Sequence, residues 1–279
     1  MAHRIDVGDV QIISLLDVGN WTLAGFFPTV PAELWEEYRA IYPDALLEHN
    51  SIATSATCYA VRSRSQTILL DAGLGPGPHE RAGGQRGQLL EELRSVGIAP
   101  SDVDVVAMTH LHRDHVGWNA LLHEGGAKPT FPRARYLAPR KDWAHFERPE
   151  IRERSPYLAG TIALFEKGLI ELVDGEHSVS AEVTLVPTPG HTPGHQAAMI
   201  ASRGERAMVI GDVAHTPPQV QEIEWSASAD VDAEAACRTR QATFDRAEAE
   251  RLLLCANHFP HPGFGRLVRL NGRRVFQAL

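Results

Sequence analysis

The sequence predicts an α/β protein whose mixed β-sheets are covered by helices. Short apolar runs of strand length alternate with longer helical stretches, and strand-like runs return near the end of the chain. With 279 residues, the chain is long enough to bury a substantial core. Because no low-complexity tract or linker divides it, we expect residues 1–279 to form a single domain.

The individual elements follow from apolar runs and from the residues that bound them. Strands are expected within residues 4–17 (a hairpin that turns at Gly8-Asp9), 57–61, 67–70, 103–108, 183–186, 207–210 and 252–255, and in a hairpin that turns at Asn271-Gly272. Helices are expected at residues 31–41, 89–96, 155–168 and 232–251, with Pro31 in the first turn of the first and Ser155 capping the third. The stretch 73–87 lacks the Gly-Lys-Ser/Thr ending of a phosphate-binding loop, which indicates a mobile surface loop.

The charge of the chain disfavours nucleic acid and anionic membranes as partners. Lys and Arg number 27 and Asp and Glu 35, so the formal net charge is −8 at pH 7. Both kinds of partner need a basic surface. The N-terminal residues lack the layout of a signal peptide, and the apolar runs are too short to span a membrane. We therefore expect a cytoplasmic protein that acts on a small molecule.

Histidine is the residue type that points to a function. The chain has 14 histidines, and three fall in the run His110-Leu-His112-Arg-Asp114-His115, directly after the apolar run 103–108. In an extended segment, side chains two residues apart point the same way, so His110 and His112 can bind one ion. Once the chain turns, Asp114 and His115 can bind a second ion beside it.

Three more potential ligands follow apolar runs in the same way. They are His191 after residues 183–186, Asp212 after residues 207–210 and His258 after residues 252–255. If the four strands share one sheet edge, all seven side chains converge, and Asp212 can offer one oxygen to each of two ions. Imidazole and carboxylate donors without a cysteine suit zinc, manganese, iron or cobalt. The sequence therefore predicts a site for two divalent ions, with zinc as the first expectation.

These residues resemble the ligand set of the metallo-β-lactamase superfamily, whose members carry H-x-H-x-D-H and then a distant His, Asp and His. The matching positions are His110, His112, Asp114, His115, His191, Asp212 and His258, and the resemblance spans residues 55–279. It implies an αββα sandwich, in which two mixed sheets pack together with helices on their outer faces and a dinuclear metal centre lies in the cleft. By the same resemblance, His110, His112 and His191 hold the first ion. Asp114, His115 and His258 hold the second, and Asp212 bridges the two.

The resemblance extends to two residues beside the ligands. Asp71 ends the stretch Thr-Ile-Leu-Leu-Asp-Ala-Gly, which is similar to the family's strand whose Asp orients a ligand histidine through its ring N–H. A turn or capping carboxylate is the alternative for Asp71. His195 matches a position that is usually structural, so it is not counted as a ligand.

Within the superfamily, His191-Thr-Pro-Gly-His195-Gln and the chain length resemble the lactonase-like branch. That branch includes N-acyl homoserine lactonases, 4-pyridoxolactonase and methyl parathion hydrolases. The homoserine lactonases usually place a Tyr where this chain has His215. The run Asp212-Val-Ala-His215-Thr-Pro is closer to the organophosphate- and dehalogenase-type relatives, so more than one substrate class stays open.

The resemblance implies a hydrolase in which hydroxide shared by two ions attacks the carbonyl of a lactone or carboxylic ester. Asp114 and Asp212 are expected to act in catalysis, and Asp212 or His215 to pass a proton to the leaving group. Hydrolysis of an organophosphate triester or hydrolytic dehalogenation of an activated aryl substrate is the alternative. A thioesterase or a β-lactamase is a further alternative.

The aromatic residues predict where a substrate binds. Residues 19–50 carry an aromatic-rich insertion that the core fold does not need, and it either lines the pocket or forms a dimer contact. Phe26 and Phe27 lie in it, while Trp118 and Phe259 follow metal-binding motifs. We expect these four side chains to line the pocket of a largely uncharged small molecule, in a protein that can form a homodimer.

Overall fold

The secondary structure is taken from a computed structural model that describes residues 3–64 and 66–279. The strands are β1 (His3–Val7), β2 (Val10–Ala24), β3 (Ser51–Ser63), β4 (Gln66–Leu70), β5 (Val105–Ala107), β6 (Ala120–His123), β7 (Gly126–Pro129), β8 (Arg135–Pro139), β9 (Ile170–Val173), β10 (His177–Ser178), β11 (Val183–Pro187), β12 (Gln196–Ser202), β13 (Glu205–Val209), β14 (Leu253–Cys255), β15 (Phe264–Leu270) and β16 (Arg273–Ala278). The helices are α1 (Ala32–Ile41), α2 (Leu89–Ser95), α3 (Arg113–Val116), α4 (Arg140–Phe146), α5 (Pro149–Arg152), α6 (Ala159–Glu166) and α7 (Ala233–Ala249). Short 3₁₀ turns lie at Glu80–Ala82, Pro100–Asp102, Pro156–Leu158, Gly211–Val213 and Pro217–Val220.

The strands form two large mixed sheets. The first sheet has the order β1-β2-β3-β4-β5-β8-β9, antiparallel up to β4 and parallel from β4 to β9. The second sheet has the order β10-β11-β12-β13-β14-β15-β16, and only β13 and β14 are parallel neighbours in it. Strands β6 and β7 form a separate hairpin.

Three apolar clusters hold these layers together. Between the sheets, side chains such as Ile68 and Val105 of the first sheet pack against Ile200 and Val209 of the second. On the outer face of the first sheet lie helices α2, α4 and α6, and on that of the second lies α7, which contributes Phe244. The αββα sandwich expected from the sequence is therefore confirmed.

Most predicted elements form where the sequence places them. The hairpins turn at Gly8-Asp9 and at Asn271-Gly272, and α7 begins after Asp232, whose carboxylate accepts the backbone N–H of Ala235. The helix expected from Ser155 starts instead as a 3₁₀ turn, and the Ser155 side chain makes no capping hydrogen bond. Across the described ranges, 3–64 and 66–279, no helix combines the length and apolar composition that a membrane span requires.

The aromatic-rich segment 19–50 comprises the end of β2, helix α1 and the loops around it. Its residues Phe27, Trp35 and Tyr38 are buried with Trp225, a residue from the loop before α7. The Trp35 and Trp225 rings stack with centroids 5.6 Å apart and an interplanar angle of 7°. We call Phe27, Trp35, Tyr38 and Trp225 the aromatic cluster.

Candidate metal centre

The ends of strands from both sheets deliver the seven predicted ligands. His110, His112, Asp114 and His115 follow β5 of the first sheet. The other three follow β11, β13 and β14, which belong to the second sheet. The expectation of one shared sheet edge is therefore wrong. The side chains meet because the two sheets pack face to face and the loops from both converge at one end.

The first ligand group contains His110, His112, His191 and Asp212, whose ligand atoms all lie within 4.8 Å of one another. His112 Nδ1 lies 3.1 Å from His110 Nε2 and 2.9 Å from His191 Nε2. The Oδ2 atom of Asp212 lies 3.2 Å from His191 Nε2 and 3.6 Å from His110 Nε2. Two donors that share a tetrahedral zinc ion lie roughly 3.4 Å apart, so these separations suit one ion.

The second ligand group contains Asp114, His115 and His258. The His258 Nε2 atom lies 3.6 Å from Asp114 Oδ2, and His115 Nε2 lies 3.8 Å from Asp114 Oδ1. Asp212 reaches this group too, because its Oδ1 atom lies 3.0 Å from His258 Nε2 and 3.2 Å from His115 Nε2. The two oxygens of one carboxylate therefore face two different ligand groups.

The donor set fits divalent cations. Among the described residues, His115 Nε2 and Asp212 Oδ1 are buried polar atoms without a hydrogen-bond partner, although both point into the cluster. Buried polar atoms of this kind require an explanation, and a shared cation provides one. Five imidazoles and two carboxylates, with no thiolate, form a nitrogen and oxygen set that zinc accepts.

The electrostatics of the cluster are dominated by burial and by Asp212. Burial lowers the pKa of His112 to about 3, which leaves its ring neutral with a free lone pair. Burial also opposes a charge on His191, but the neighbouring carboxylates of Asp212 and Asp230 raise its pKa to about 9. Although burial disfavours its charged form, the surrounding histidines, His115 first, hold the pKa of Asp212 well below its usual value. The cluster therefore attracts positive charge around one buried carboxylate.

Asp71 is hydrogen-bonded, directly or through Thr109, to two of the predicted ligand histidines. Its Oδ2 atom accepts the Nδ1–H of His115 at 2.8 Å and the hydroxyl of Thr109 at 2.9 Å, and Asn257 donates to the same oxygen. The Thr109 hydroxyl in turn lies 3.0 Å from His110 Nδ1 and can accept its proton. Both rings are thereby fixed with Nε2 directed at the cluster, which is the arrangement expected for a carboxylate that supports ligands.

Asp230 accepts a hydrogen bond from the ring of His191 in the same way as Asp71 does from the ring of His115. It was not among the site residues predicted from the sequence. Its Oδ1 atom lies 2.8 Å from His191 Nδ1, and its Oδ2 atom accepts from the hydroxyl of Ser226 and the N–H of Ala227. Burial disfavours its charge, but the hydrogen bond with His191 holds the pKa of Asp230 below its usual value. Asp230 is 39 residues from its partner, and no motif marks it.

A third buried carboxylate, Asp142, joins the loop that carries His110 and His112 to the loop that carries His191. It accepts the N–H of Leu111 at 3.2 Å, the N–H of Gly194 at 2.6 Å and the hydroxyl of Thr192 at 2.8 Å. Burial raises its pKa to about 6, despite these hydrogen bonds. Asp142 follows β8 at the edge where the ligands gather, and that position is the sequence signal that could have found it.

His195 lies beside the cluster without facing it as a ligand. Its Nε2 atom accepts the N–H of Asp212 at 2.9 Å, and its Nδ1 atom lies 3.1 Å from the carbonyl oxygen of Thr188. The two ring nitrogens thus join the backbone N–H of Asp212 to the loop that carries Thr188. Gly211 has φ +54°, and a Cβ there would lie 2.6 Å from His195 Nε2, so only glycine lets the two approach.

His215 lies at the rim of the cluster. Its Nε2 atom is 3.2 Å from Asp212 Oδ2, and its ring stacks on that of His258 at 5.4 Å. Gln219 accepts the backbone N–H of His215 at 2.7 Å and fixes this turn. The ring also meets that of Phe26 edge-on, with centroids 4.9 Å apart.

A cleft of about 670 Å³ opens over both ligand groups. Of the four predicted pocket residues, Phe26 lines this cleft, while Phe27, Trp118 and Phe259 do not. Phe27 packs in the aromatic cluster, and Phe259 packs edge-on against Phe276. The Trp118 indole lies in the core and donates to Asp17 at 2.7 Å. The prediction that these three residues line the pocket is therefore wrong, because their side chains are buried in the core.

Most of the residues that line the cleft were not predicted from the sequence. The loop after β4, which was predicted only as a mobile surface loop, contributes Leu74, Pro78 and the 3₁₀ turn Glu80–Ala82 to the cleft. Trp21 and Leu23 line the cleft from β2. Further lining residues are Thr54, Arg113, Arg154, Tyr157 and Ala229.

Known proteins resemble this chain in both sequence and fold. N-acyl homoserine lactonases from Bacillus sp and Bacillus cereus are 25% and 26% identical to it over 189 residues, which is 56% and 61% of this chain and 66% and 68% of theirs. The chain thus spans about two thirds of the length of these relatives.

Two solved structures share the fold with TM-scores of 0.83. They are hydrolase AbOPH of the β-lactamase superfamily, at 24% identity, and AidC, a dizinc quorum-quenching lactonase in complex with a product, at 21%. Each comparison covers 100% of this chain and 97% of the other. The model of the metallo-β-lactamase superfamily matches residues 52–276. With that match, the sandwich fold and the ligand geometry, the chain belongs to the metallo-β-lactamase superfamily.

Proposed function

We propose that this protein is a dinuclear metal-dependent hydrolase that cleaves the carbonyl–oxygen bond of a lactone or a carboxylic ester. The observation that carries the proposal is the position of Asp212. Its Oδ2 atom faces His110 and His191, and its Oδ1 atom faces His115 and His258, at distances of 3.0 to 3.6 Å. Because the two oxygens face different pairs of histidines, one ion would leave one pair without a cation, whereas two ions use both pairs.

Zinc is the metal we propose, because imidazole and carboxylate donors suit it and because a structural neighbour is described as dizinc. His110, His112 and His191 would hold one ion, Asp114, His115 and His258 the other, and Asp212 both. When bound, two such ions would lower the pKa of a shared water towards about 7 and polarise the carbonyl group that it attacks.

Residues of the chain itself position the ligand rings and transfer a proton. Asp71 and Asp230 fix the rings of His115 and His191, so the ligand atoms are in place before a substrate arrives. His215 lines the cleft with Nε2 at hydrogen-bond distance from Asp212 Oδ2. We assign this pair the transfer of a proton to the alkoxide that leaves when the ester bond breaks.

The lactonase relatives, at 25–26% identity, favour a lactone or ester over other electrophiles. A panel of γ- and δ-lactones, aryl esters and a phosphotriester, run on zinc-loaded protein, tests this choice. We expect turnover of lactones or esters. Turnover of the phosphotriester alone would overturn the choice and assign the same site to attack at phosphorus.

Metal analysis tests the dinuclear site separately. We expect two zinc ions per chain in the wild-type protein and close to one in Asp114→Ala and in His258→Ala. Both variants should lose at least about a hundredfold in kcat/KM, because the second ion is lost. Asp174→Ala removes an exposed carboxylate away from the cleft and serves as the control. One ion in the wild type, or full activity in either ligand variant, would contradict the proposal.

A further inference from the structure

The wall of the cleft contains two chemically different regions. One is apolar: Trp21, Leu23 and Leu74 line it and belong to a single cluster of packed side chains. The other is cationic and contains Arg113 and Arg154. This cationic region is at odds with the largely uncharged substrate that the aromatic residues predict.

Arg113 is held at the cleft by its surroundings. It is the first residue of α3, between the ligands His112 and Asp114, and α3 packs against the 3₁₀ turn Pro156–Leu158. Its guanidinium carbon lies 5.4 Å from the centre of the Tyr157 ring, which is the distance of a cation–π contact. The half-buried Tyr157 lines the cleft too and so directs this guanidinium along the wall.

Two of the three arginines that line the cleft, Arg113 and Arg154, have no carboxylate partner among the described residues. Among residues 3–64 and 66–279, no Asp or Glu oxygen lies within 4.0 Å of the side-chain nitrogens of Arg113 or Arg154, nor does either side chain donate a hydrogen bond. Some other arginines are paired: Arg269 and Arg274 both bind Glu248, and the buried Arg240 reaches Asp230. Arg113 and Arg154 are exposed at the wall of the cleft, so their N–H donors are free for a ligand that enters it.

The charge of the site strengthens the same conclusion. Asp114 and Asp212 supply two negative charges to the ligand groups, whereas two divalent ions would bring four positive charges. Arg113 and Arg154 add two more, and the opposite charges of the lining residues Glu80 and Arg81 cancel. The loaded cleft would therefore be cationic although the chain carries a net charge of −8. A cleft of one sign concentrates ligands of the opposite sign.

We propose that the substrate carries a carboxylate in addition to the ester bond that is cleaved, and that Arg113 and Arg154 bind this carboxylate. The inference rests on the proposed hydrolase function and specifies its substrate class. Guanidinium groups present paired N–H donors that match the two oxygens of a carboxylate. The apolar remainder of the substrate then contacts Trp21 and Leu23.

The test compares two lactones that differ only in charge. One is 5-oxotetrahydrofuran-2-carboxylate, a γ-lactone with a carboxylate on its ring, and the other is the corresponding carboxamide. Each kcat/KM is divided by the hydroxide-catalysed rate constant of the same lactone, which removes the difference in intrinsic reactivity. We expect zinc-loaded wild-type protein to prefer the carboxylate by at least about tenfold, mainly through KM.

Variants assign the preference to the two arginines. Arg113→Gln combined with Arg154→Gln should reduce the preference by about ten- to a hundredfold, because hydrogen bonds to a charged group are lost. Arg152→Gln is the matched control, since it removes one exposed charge from the same segment outside the cleft. We expect it to keep the wild-type preference.

A binding measurement gives a readout that needs no turnover. In 3-oxocyclopentane-1-carboxylate a ketone replaces the lactone, so no bond can be cleaved. Calorimetric titration should show a Kd about tenfold higher for the double variant than for the wild type and the control. Equal Kd values in the three proteins would overturn the inference.

The outcomes separate this inference from the function on which it rests. If the carboxamide is hydrolysed as well as the carboxylate, or if the preference survives in the double variant, the inference fails and the hydrolase proposal stands. The same holds if other lactones or esters are hydrolysed and neither compound of this pair is. If no lactone or ester is hydrolysed at all, both proposals fail.

Discussion

The seven predicted ligands, which we call the ligand cluster, lie beside the aromatic cluster. The two clusters are stabilised by different kinds of interaction. Around Asp212, ring nitrogens and carboxylates are buried together. Asp71 and Asp230 accept hydrogen bonds from the rings of His115 and His191, and Asp142 accepts one from the backbone of Gly194. Around Trp35, by contrast, the contacts are between aromatic rings 5.5 to 6.4 Å apart. The first arrangement specifies atom positions, and the second supplies apolar burial.

The two regions meet in the loop before α7. Trp225 stacks on Trp35 in the aromatic cluster, and its carbonyl oxygen accepts from Gln219, which holds His215. Five residues later, Asp230 orients His191. The difference between the regions thus suggests a division of labour, in which the aromatic cluster anchors a loop whose polar residues support the ligands. Variants in each region test this division.

The largest effect is expected at the centre of the ligand cluster. Asp212→Ala removes the oxygens that face both ligand groups, so we expect zinc binding to be lost and kcat/KM to fall by about ten thousandfold. Metal analysis and lactone hydrolysis measure the two losses. Asp174→Ala is the control, because it removes an exposed carboxylate outside the cleft. Retention of two zinc ions by Asp212→Ala would refute the bridging assignment.

The next largest effect is on stability rather than on chemistry. Trp35→Ala empties a fully buried site in the aromatic cluster and should lower the free energy of unfolding by about 3–5 kcal/mol. Urea unfolding of the zinc-loaded protein gives this value, and Ile41→Ala, at an exposed position of the same helix, is the control. The folded variant should still bind two zinc ions. A folded Trp35→Ala protein without zinc would show that the clusters are not separate in function.

A smaller effect is expected where the regions join. Asp230→Asn keeps the shape of the side chain but removes the negative charge beside His191 Nδ1. Loss of such a partner typically weakens metal affinity by 10–100-fold. We therefore expect zinc affinity, measured by competition with a chelator, to fall by at least about tenfold. Unchanged affinity would mean that Asp230 only supports the loop.

The ligand cluster could be predicted from the sequence because its chemistry is visible there. Each ligand follows an apolar run, and imidazole and carboxylate groups in a fixed order have few other uses. The sequence did not specify which strands are neighbours. The ligands follow strands of two different sheets, not of one shared sheet edge. Asp230 was missed because its role comes from the tertiary fold, which brings the loop before α7 against the loop of His191, 39 residues away in sequence.

The aromatic residues were predicted less well for the same physical reason. Phe26 and Phe27 are adjacent and equally apolar, yet only Phe26 lines the cleft. The choice depends on Trp225, roughly 200 residues away in sequence, whose ring lies 5.8 Å from that of Phe27. Burial of an aromatic ring is non-directional, so the sequence shows that such rings will be buried but not against which partner.

The smallest effect concerns the contact that joins the regions. In a double-mutant cycle with Trp35→Leu and Trp225→Leu, each single variant loses the stacked ring and also some buried area. The coupling between the two should be about 0.5–1.5 kcal/mol, the usual value for an aromatic pair beyond its burial. Urea unfolding of the four proteins measures it, with Trp35 and Tyr59, from separate clusters, as the uncoupled control pair. Additive losses at Trp35 and Trp225 would show that the rings merely fill space. In that case the loop that carries Asp230 would depend on its own hydrogen bonds, since the stacked pair would add nothing specific to its position.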